Sequence, residues 1–522
     1  MRRRTLLRGA GASLALGVLG LPRAGARTGA DGPEALVAAA RALAAGPHAP
    51  ERPAPSPPFD RLDYDAHRAI RPRPGRAAAL PLGDRFRADL LPPGWLFRDP
   101  VTVSLPGHDT AFSPSLFDFD PRLFPDGPPA SAAPGMGFAG LRLTTPLNAP
   151  DRWDEVLAIQ GASYFRGLAR ATVYGLSARA LALGTGGPGP EEFPVTRHIA
   201  VFDASGDRVH FGLLVDSPRA AAALIATLTP GAETVMDCAL HLFPRETLAD
   251  AGIAPLTSMF QHNDLGPGAI DDFRPAVHDS DVLVIDNGAG ERLWRPLANP
   301  ARVQMSAFVD PGARGFGLIQ TPADFSRFRD AEAAYHRRPS AWVTPRGDWG
   351  PGAVMLLEIP TRDEFADNIV AFWRPEAPLA PGAHRFDYRL AWRAPGPAHL
   401  PDPAGPLPFQ PLRSASGIDP NARDSRLYVV DFAPAPDLPG PPPGAETLAL
   451  EVSADEGGIT SGQALYALEP EAGALRASFV LTPASAEVAA VELRLRLRRR
   501  SDGAPASPVW LQRWTRARGG GP

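Results

Sequence analysis

The sequence predicts an all-β protein, with a large β-domain followed by a small β-sandwich. The 522 residues include 62 prolines and 51 glycines, which favours short strands joined by turns over long helices. Short apolar stretches end in turn signals, as Val282 to Ile285 does at Asp286-Asn287-Gly288. Near the C-terminus, strand-like segments recur every ~10–15 residues, a spacing typical of an Ig-like sandwich.

Six segments predict the strands of the small sandwich. They are Leu427 to Phe432, Leu448 to Val452, Gln463 to Leu468, Ala477 to Leu481, Val488 to Leu497 and Val509 to Arg513. The large domain is expected at 59–393 and the small one at 412–516, with a proline-rich linker at 394–411. Residues 27–58 are expected to hold a helix, Pro33 to Leu43, and a proline-rich linker. A second short helix is expected around Ala323 to Tyr335.

The first 26 residues have the pattern of a bacterial twin-arginine export signal. Arg3-Arg4 precedes two leucines, an apolar run covers Gly9 to Leu21, and Ala24-Gly25-Ala26 supplies a cleavage site. The apolar run is shorter than the about 20 residues that span a bilayer. Pro22 argues against the alternative, a short anchor or buried helix. We therefore expect a mature periplasmic protein that does not span the membrane.

The charge distribution argues against a nucleic-acid partner, and the single cysteine has a structural interpretation. The formal net charge is −4, and the charges are interspersed, so nucleic acid is not an expected partner. The arginines of Val491 to Leu497 alternate with apolar residues, which indicates a half-buried strand and not a basic patch. The single cysteine, Cys238, lies in an apolar, strand-like run and is interpreted as a small buried hydrophobe.

Motifs for metals and nucleotides are absent from the sequence. It contains no glycine-rich phosphate loop before a helix, no His-Glu-x-x-His and no Gly-x-Ser-x-Gly, and its 11 histidines lack ligand spacing. We expect neither a cofactor nor a metal. What remains are dense clusters of aromatic residues, arginines and carboxylates. Such clusters suit a sugar-binding cleft with paired carboxylic acids, although each residue could equally be core or surface.

The clusters carry a family resemblance that covers nearly the whole mature chain. The strings are GASYFRGLARATVYGLSAR from Gly161, EEFP from Glu191, APLTSMF from Ala254, HDS from His278, WRPL from Trp294, RRPSAWVTPRGDWG from Arg337, and EIPTRDEFADNIVAFW from Glu358. In order and spacing they resemble the OpgG/OpgD (MdoG/MdoD) family of periplasmic proteins of osmoregulated glucan synthesis. The resemblance implies a mutarotase-like β-sandwich followed by an Ig-like one, and β-1,2-glucan as the substrate.

The resemblance also implies an inverting glucanase with two aspartates. Asp367 would be the general acid and Asp279 the general base. Inverting carboxyls stand about 6.5–9.5 Å apart or farther, to leave room for water. An acid protonated near neutral pH needs burial or a neighbouring carboxylate, for which the candidates are Glu358, Asp363 and Glu364. By motif position and residue type, the expected substrate contacts are Tyr164, Arg166, Trp294, Tyr335, Arg338, Trp342, Glu358 and Asn368.

Three functions stay open at this point. The first is an inverting endo-β-1,2-glucanase, which both aspartates favour. The second is a non-catalytic glucan-binding partner of the inner-membrane glucan synthase, favoured because Phe365-Ala366 replaces the polar pair usual in the family. The third is a mutarotase-like or lyase activity. Within the family a twin-arginine signal is typical of the D branch, so Arg3-Arg4 favours OpgD. Glucan length and oligomeric state are not given by the sequence.

Overall fold

The computed structural model describes most of the chain but not its N-terminal segment. The described residues are 32–49, 55–129, 131–266, 271–321, 323–396, 407–436, 438, 440–468 and 473–516. The expected export signal at 1–26 therefore lies outside the described residues. So do parts of both expected linkers, at 50–54 and 397–406.

Strands dominate the described residues, and the all-β prediction is confirmed. The first sixteen are β1 Ile70–Pro72, β2 Leu80–Leu82, β3 Phe86–Leu91, β4 Thr102–Ser104, β5 Phe117–Phe119, β6 Gly140–Ala149, β7 Arg152–Gln160, β8 Tyr164–Gly167, β9 Ser177–Arg179, β10 Ala182–Leu183, β11 Val195–Ser205, β12 Arg208–Asp216, β13 Ala220–Thr229, β14 Thr234–Pro244, β15 Ala251–Ser258 and β16 Phe260–His262. The rest are β17 Val277–His278, β18 Val282–Asp286, β19 Arg292–Pro296, β20 Gln304–Asp310, β21 Gly315–Ile319, β22 Ser340–Arg346, β23 Gly352–Glu358, β24 Ile369–Pro375, β25 His384–Arg393, β26 Phe409–Asp419, β27 Ala422–Pro434, β28 Leu448–Ala454, β29 Gly458–Ala467, β30 Leu475–Pro483, β31 Ala490–Arg499 and β32 Val509–Thr515.

Helices are few and short. The first expected helix corresponds to α1, Pro33–Ala45, which starts with proline at its first turn and Glu34 beside it. Its Leu36 packs with Ala223 and Phe243 on β13 and β14. α2 spans Tyr64–Arg68. The second expected helix is wrong, because only single 3₁₀ turns form there. Within the described residues, the 3₁₀ turns are Phe59–Arg61, Pro114–Leu116, Phe325–Arg327, Tyr335–Arg337 and Ala445–Thr447.

Two large sheets face each other across the main core. One has the order β2-β3-β6-β7-β8-β9-β15-β24-β23-β20, with β10 paired to β15, and the other runs β28-β31-β32-β19-β18-β21-β22-β25-β14-β13-β12-β11-β4. They meet where Phe165 of β8 lies 6.2 Å from Trp392 of β25, centroid to centroid. A Cβ at Gly167 would fall 2.4 Å from the Trp392 ring, so glycine is required there. Strand alternation then points Tyr164 and Arg166 away from this core.

The C-terminal strands continue one of these sheets. β32 pairs in parallel with β19, with Trp294 opposite Trp510, so the small sandwich shares a sheet with the large domain. Its other layer is the four-stranded sheet β26-β27-β30-β29. Between the layers, Tyr428 stacks on Phe479 at 5.3 Å, and the Trp510 ring abuts both. β26 begins at Phe409, within the expected linker, and the domain boundaries themselves stay predictions.

We expect the two sandwiches to unfold as one unit, because β19 and β32 join them through backbone pairing. The Trp510→Ala substitution should destabilise the whole protein by about 3–5 kcal/mol, the usual cost of removing a buried tryptophan. Calorimetry should show one transition, moved to lower temperature as a whole. Tyr466→Ala, at a side chain 45% exposed on β29, is the matched control. Two separate transitions, with only one of them shifted, would contradict this expectation.

Candidate active site

Asp279 is held at the end of a short strand pair. β17 pairs with β16, and the Asp279 backbone N–H donates to the carbonyl of Met259 at 2.8 Å. The ring of His278, the preceding residue, stacks on Phe260 at 5.5 Å and contacts the Gln320 side-chain oxygen through Nδ1 at 2.8 Å. His278 is fully buried, so it orients the strand end and does not face solvent.

The Asp279 carboxylate forms an ion pair with Arg338. Arg338 Nη1 donates to Asp279 Oδ1, and its Nε and Nη2 both donate to the Ala333 carbonyl at 3.2 Å. The guanidinium also lies 4.2 Å above the Tyr335 ring. Burial raises the pKa of Asp279, and Arg338 opposes that shift. The ion pair thus keeps a buried carboxylate ionisable.

Asp367 lies in the loop between β23 and β24. Its side chain keeps 31% of its surface exposed, yet the surrounding protein removes enough water to raise its pKa. Arg166 and Arg179 oppose the shift, and Arg166 Nη2 stands 4.0 Å from Asp367 Oδ2. The sequence left burial or a neighbouring carboxylate as possible causes of a raised pKa, and burial is the cause here.

The two aspartates belong to one site. After burial and Arg338, the charge of Asp367 also raises the pKa of Asp279, and Arg166 lowers the pKa of both carboxyls. Tyr164 and Arg179 lie beside these groups, and the Arg179 guanidinium lies 4.6 Å above the Tyr164 ring. Burial raises the pKa of Tyr164 to about 12, which keeps its hydroxyl a hydrogen-bond donor. We call Asp279, Asp367, Arg166, Arg338 and Tyr164 the aspartate cleft.

The loop that carries Asp367 is tied down beside the cleft. Glu364 accepts a hydrogen bond from the Tyr335 hydroxyl at 3.0 Å and pairs with Arg274 at 2.8 Å. Arg274 also binds Asp272 and Asp330, at 2.7 and 2.8 Å. Sequence reasoning missed Arg274 because it lies outside every family string. It missed Arg179 as a neighbour of Asp367 because only the pairing of β8 with β9 brings Arg179 near that residue.

Four expected substrate contacts are buried against other protein groups, which corrects their assignment. Trp294 and Trp342 are each 2% exposed within the second core. Glu358 is fully buried, pairs with Arg295 at 3.2 Å and accepts from the Ala298 N–H at 2.7 Å. Asn368 is 1% exposed and exchanges hydrogen bonds with the Phe260 backbone at 2.8 and 2.9 Å.

Asn368 and Tyr335 support the cleft without lining it. The hydrogen bonds between Asn368 and Phe260 join the loop that carries Asp367 to β16. β16 pairs with β17, the strand that leads to Asp279. Tyr335 is 2% exposed, and its hydroxyl donates a hydrogen bond to Glu364 in the loop that carries Asp367. Within the described ranges, no group of three metal-ligating side chains occurs, and no helix is long and apolar enough to cross a membrane.

Comparison with known proteins identifies the family. The family described as "Periplasmic glucan biosynthesis protein, MdoG" matches residues 32–514. The chain belongs to the MdoG family. The aspartate cleft and the small sandwich both fall within the matched region. The predicted family and its link to periplasmic glucan biosynthesis are therefore confirmed.

Several MdoG relatives are similar over almost their full lengths. "Glucans biosynthesis protein G" of Vibrio cholerae serotype O1 is 40% identical over 502 residues, covering 94% of this chain and 88% of its own. The protein of the same name from Rhodopseudomonas palustris is 42% identical over 486 residues, 91% and 92% of the two chains. That of Bradyrhizobium diazoefficiens is 40% identical over 529 residues, 99% and 100%. Since these relatives carry the name protein G, the expected placement in the D branch is not supported.

We expect Asp367→Asn to stabilise this MdoG protein at neutral pH. The folded state raises the pKa of Asp367, so it favours the protonated form, which is present below the unfolded value of about 3.9. As pH rises through the folded pKa, ionisation costs stability that the neutral amide does not lose. The variant should therefore melt higher than wild type at pH 7, and the gain should fade towards pH 4. Asp207→Asn, at an exposed turn, is the control, and an equal gain at both pH values would contradict the assignment.

We expect Glu364→Ala to loosen selectively the loop that carries Asp367. The substitution removes both the Arg274 ion pair and the Tyr335 hydrogen bond, so amide exchange should speed up in residues 361–367 and stay unchanged in β23 and β24. Hydrogen–deuterium exchange with peptide resolution measures this. Glu364→Gln, which keeps a hydrogen-bond acceptor for Tyr335, should fall between, and Glu376→Ala, at an exposed site, should match wild type. Unchanged exchange in the Ala variant would show that Glu364 does not hold the loop.

Proposed function

We propose that this protein hydrolyses β-1,2-glucan with inversion, and so controls the glucose backbone of periplasmic glucans. Asp367 is the general acid and Asp279 the general base. The observation that supports this most directly is the placement of two interacting carboxyls in one cleft, with different cationic partners. Inverting glycosidases require such a pair.

The surroundings of the two carboxyls differ in the cation that lies nearest to each one. Among the described residues, Asp367 has no hydrogen-bonded cation, since its nearest guanidinium nitrogen is 4.0 Å away on Arg166, and burial raises its pKa. Asp279 accepts a direct charge-assisted hydrogen bond from Arg338, which favours the carboxylate. Burial raises both pKa values, and the Arg338 hydrogen bond is the difference on which the assignment of acid and base rests. Asp367 is therefore the proton donor and Asp279 the proton acceptor.

The reaction is a single displacement in which one water is consumed. Asp367 gives its proton to the glycosidic oxygen as the bond from that oxygen to the anomeric carbon breaks. Water attacks the anomeric carbon from the opposite ring face, and its proton passes to Asp279, directly or through an intervening hydroxyl. Arg338 uses Asp279 Oδ1, so Oδ2 takes that proton. Exchange with solvent restores both groups.

A second candidate function is glucan binding without hydrolysis, in support of the inner-membrane glucan synthase. Two observations favour it: the Asp279 charge is already paired with Arg338, and Phe365, 90% exposed, stands two residues before the acid where the resemblance leads us to expect a polar pair. In either case we propose that the chain reaches the periplasm through the twin-arginine signal at its N-terminus.

Incubation with linear β-1,2-glucan, followed by a reducing-end assay, decides between these functions. Hydrolysis should fall by about 10²–10⁴-fold in Asp367→Asn and in Asp279→Asn, while glucan binding persists in both. Asp207→Asn is the matched control and should keep full activity. Binding with no release of reducing ends by the wild type would favour the second candidate. An unsaturated sugar product would indicate a lyase.

The pH profile of hydrolysis tests the two roles separately. The rate should fall at low pH as Asp279 becomes protonated, and at high pH as Asp367 loses its proton, with both pKa values above that of an ordinary aspartate. Arg166→Gln removes a cation that lowers the pKa of both groups, so both limbs should move to higher pH. A profile that stays unchanged in this variant would count against Asp279 and Asp367 as the titrating pair.

A further inference from the structure

We infer that the turn at Trp95 forms a second glucan-binding platform. It lies outside the aspartate cleft and extends it in one direction. The platform consists of Tyr64, Trp95, Leu96 and Phe97. The inference rests on the proposed function for its ligand, a chain of linked pyranose rings. It adds a site for sugar units distant from the bond that is cut.

The platform is built on a tight two-residue turn. Gly94 and Phe97 exchange backbone hydrogen bonds of 2.9 and 2.8 Å, which leaves Trp95 and Leu96 at the tip. Trp95 has φ 53°, a left-handed conformation that is rare for a bulky residue. Such strain persists only where the surroundings enforce it, and it concentrates at functional sites.

The surroundings of the turn do enforce it. The backbone of Gly94 has φ 124°, and a Cβ there would lie 2.6 Å from Leu62 Cδ1, so only glycine fits beneath the turn. Arg98 Nε donates to the Trp95 carbonyl at 2.8 Å. Any of the smaller, flexible turn residues Gly, Asn or Asp would meet these constraints with less strain. The presence of tryptophan therefore indicates a use for its ring.

The aromatic rings at this turn are rigid and partly open to solvent. The Tyr64 ring packs edge-on against Trp95 at 5.2 Å, and Trp95 packs against Phe97 at 5.7 Å. Tyr64 is 52% exposed and Leu96 71% exposed. The four residues carry no charge, and the C–H faces of a pyranose ring pack against aromatic rings of this kind. Large apolar groups held rigidly at a surface mark binding sites.

The platform is joined to the aspartate cleft through Gly161 and strand β8. The Phe97 ring lies 3.1 Å from the Cβ position of Gly161, and the Tyr164 N–H donates to the Gly161 carbonyl at 2.9 Å. Strand β8 then leads to Arg166, which faces Asp367. At about 3.3 Å per residue, the step from Gly161 to Arg166 is at most roughly 17 Å. A short run of linked glucose units spans that distance, so one chain reaches both places. This continuity favours a glucan over a protein as the occupant.

The test is calorimetric binding of long and short linear β-1,2-glucans to protein carrying Asp367→Asn, which prevents turnover. Adding Trp95→Asn should weaken binding of the long glucan by roughly tenfold, the order expected for one lost aromatic contact, and leave the shortest oligosaccharide that binds unaffected. Asparagine tolerates the left-handed conformation, so the melting temperature should stay level or rise. A purely structural role for Trp95 would instead lower stability. Tyr466→Asn, an exposed aromatic on β29, is the control.

Each remaining outcome is decisive. If long and short glucans bind the Trp95→Asn protein as they bind its parent, the platform is overturned while the proposed function stands. If the Asp367→Asn protein alone binds no glucan, the proposed function fails and the platform with it. Should Trp95→Asn unfold the protein, Tyr64→Ala replaces it, with the same loss expected for the long glucan only. A change in oligomeric state with unchanged glucan binding would make the turn a contact between copies and reject the inference.

Discussion

The contact between β8 and Trp392 is the constraint on which the cleft depends. The indole of Trp392 occupies the space where a side chain at position 167 would stand, which brings the two large sheets together at that point. Because side chains alternate along a strand, a tight inner face fixes the outer face as well. Tyr164 and Arg166 are therefore held on the side away from the core. The position of Arg166 near Asp367 follows from packing on the opposite face of the same strand.

A chain of contacts links the two carboxyls without passing through substrate. Arg338 binds Asp279 and lies over the ring of Tyr335, whose hydroxyl bonds to Glu364 in the loop of Asp367. Buried polar groups of this kind are costly when broken and specific in geometry when complete. Asp279 and the loop that carries Asp367 are thus held by one shared network. Asn368 adds a second link, because it connects the loop that carries Asp367 to Phe260 on β16, the strand that pairs with the segment leading to Asp279.

The sequence predicts local features of this protein well and long-range ones poorly. The strands from Leu427 onwards and helix α1 follow from periodicity and from proline and glycine placement. The aspartates follow from family strings, and in the structure both interact with Arg166. The assignments of Trp294, Trp342, Glu358 and Asn368 failed for a physical reason. Aromatic and polar residues next to strand ends have the same pattern whether they face a cleft or satisfy one another inside, and only packing separates the two cases. Arg274 was missed because it lies outside the family strings and because two of its partners, Asp330 and Glu364, are far from it along the chain.

The parallel pairing of β19 with β32 sets the order in which the chain can become native. Residues 293 and 294 meet 509 and 510, so the middle of the large sheet waits for a strand that is synthesised near the end of the chain. Contacts with such sequence separation close late and carry a high entropic cost of loop closure. Until then β19 presents an unpaired edge able to recruit strands from other molecules. While β32 is unpaired, this protein is therefore prone to aggregation during folding.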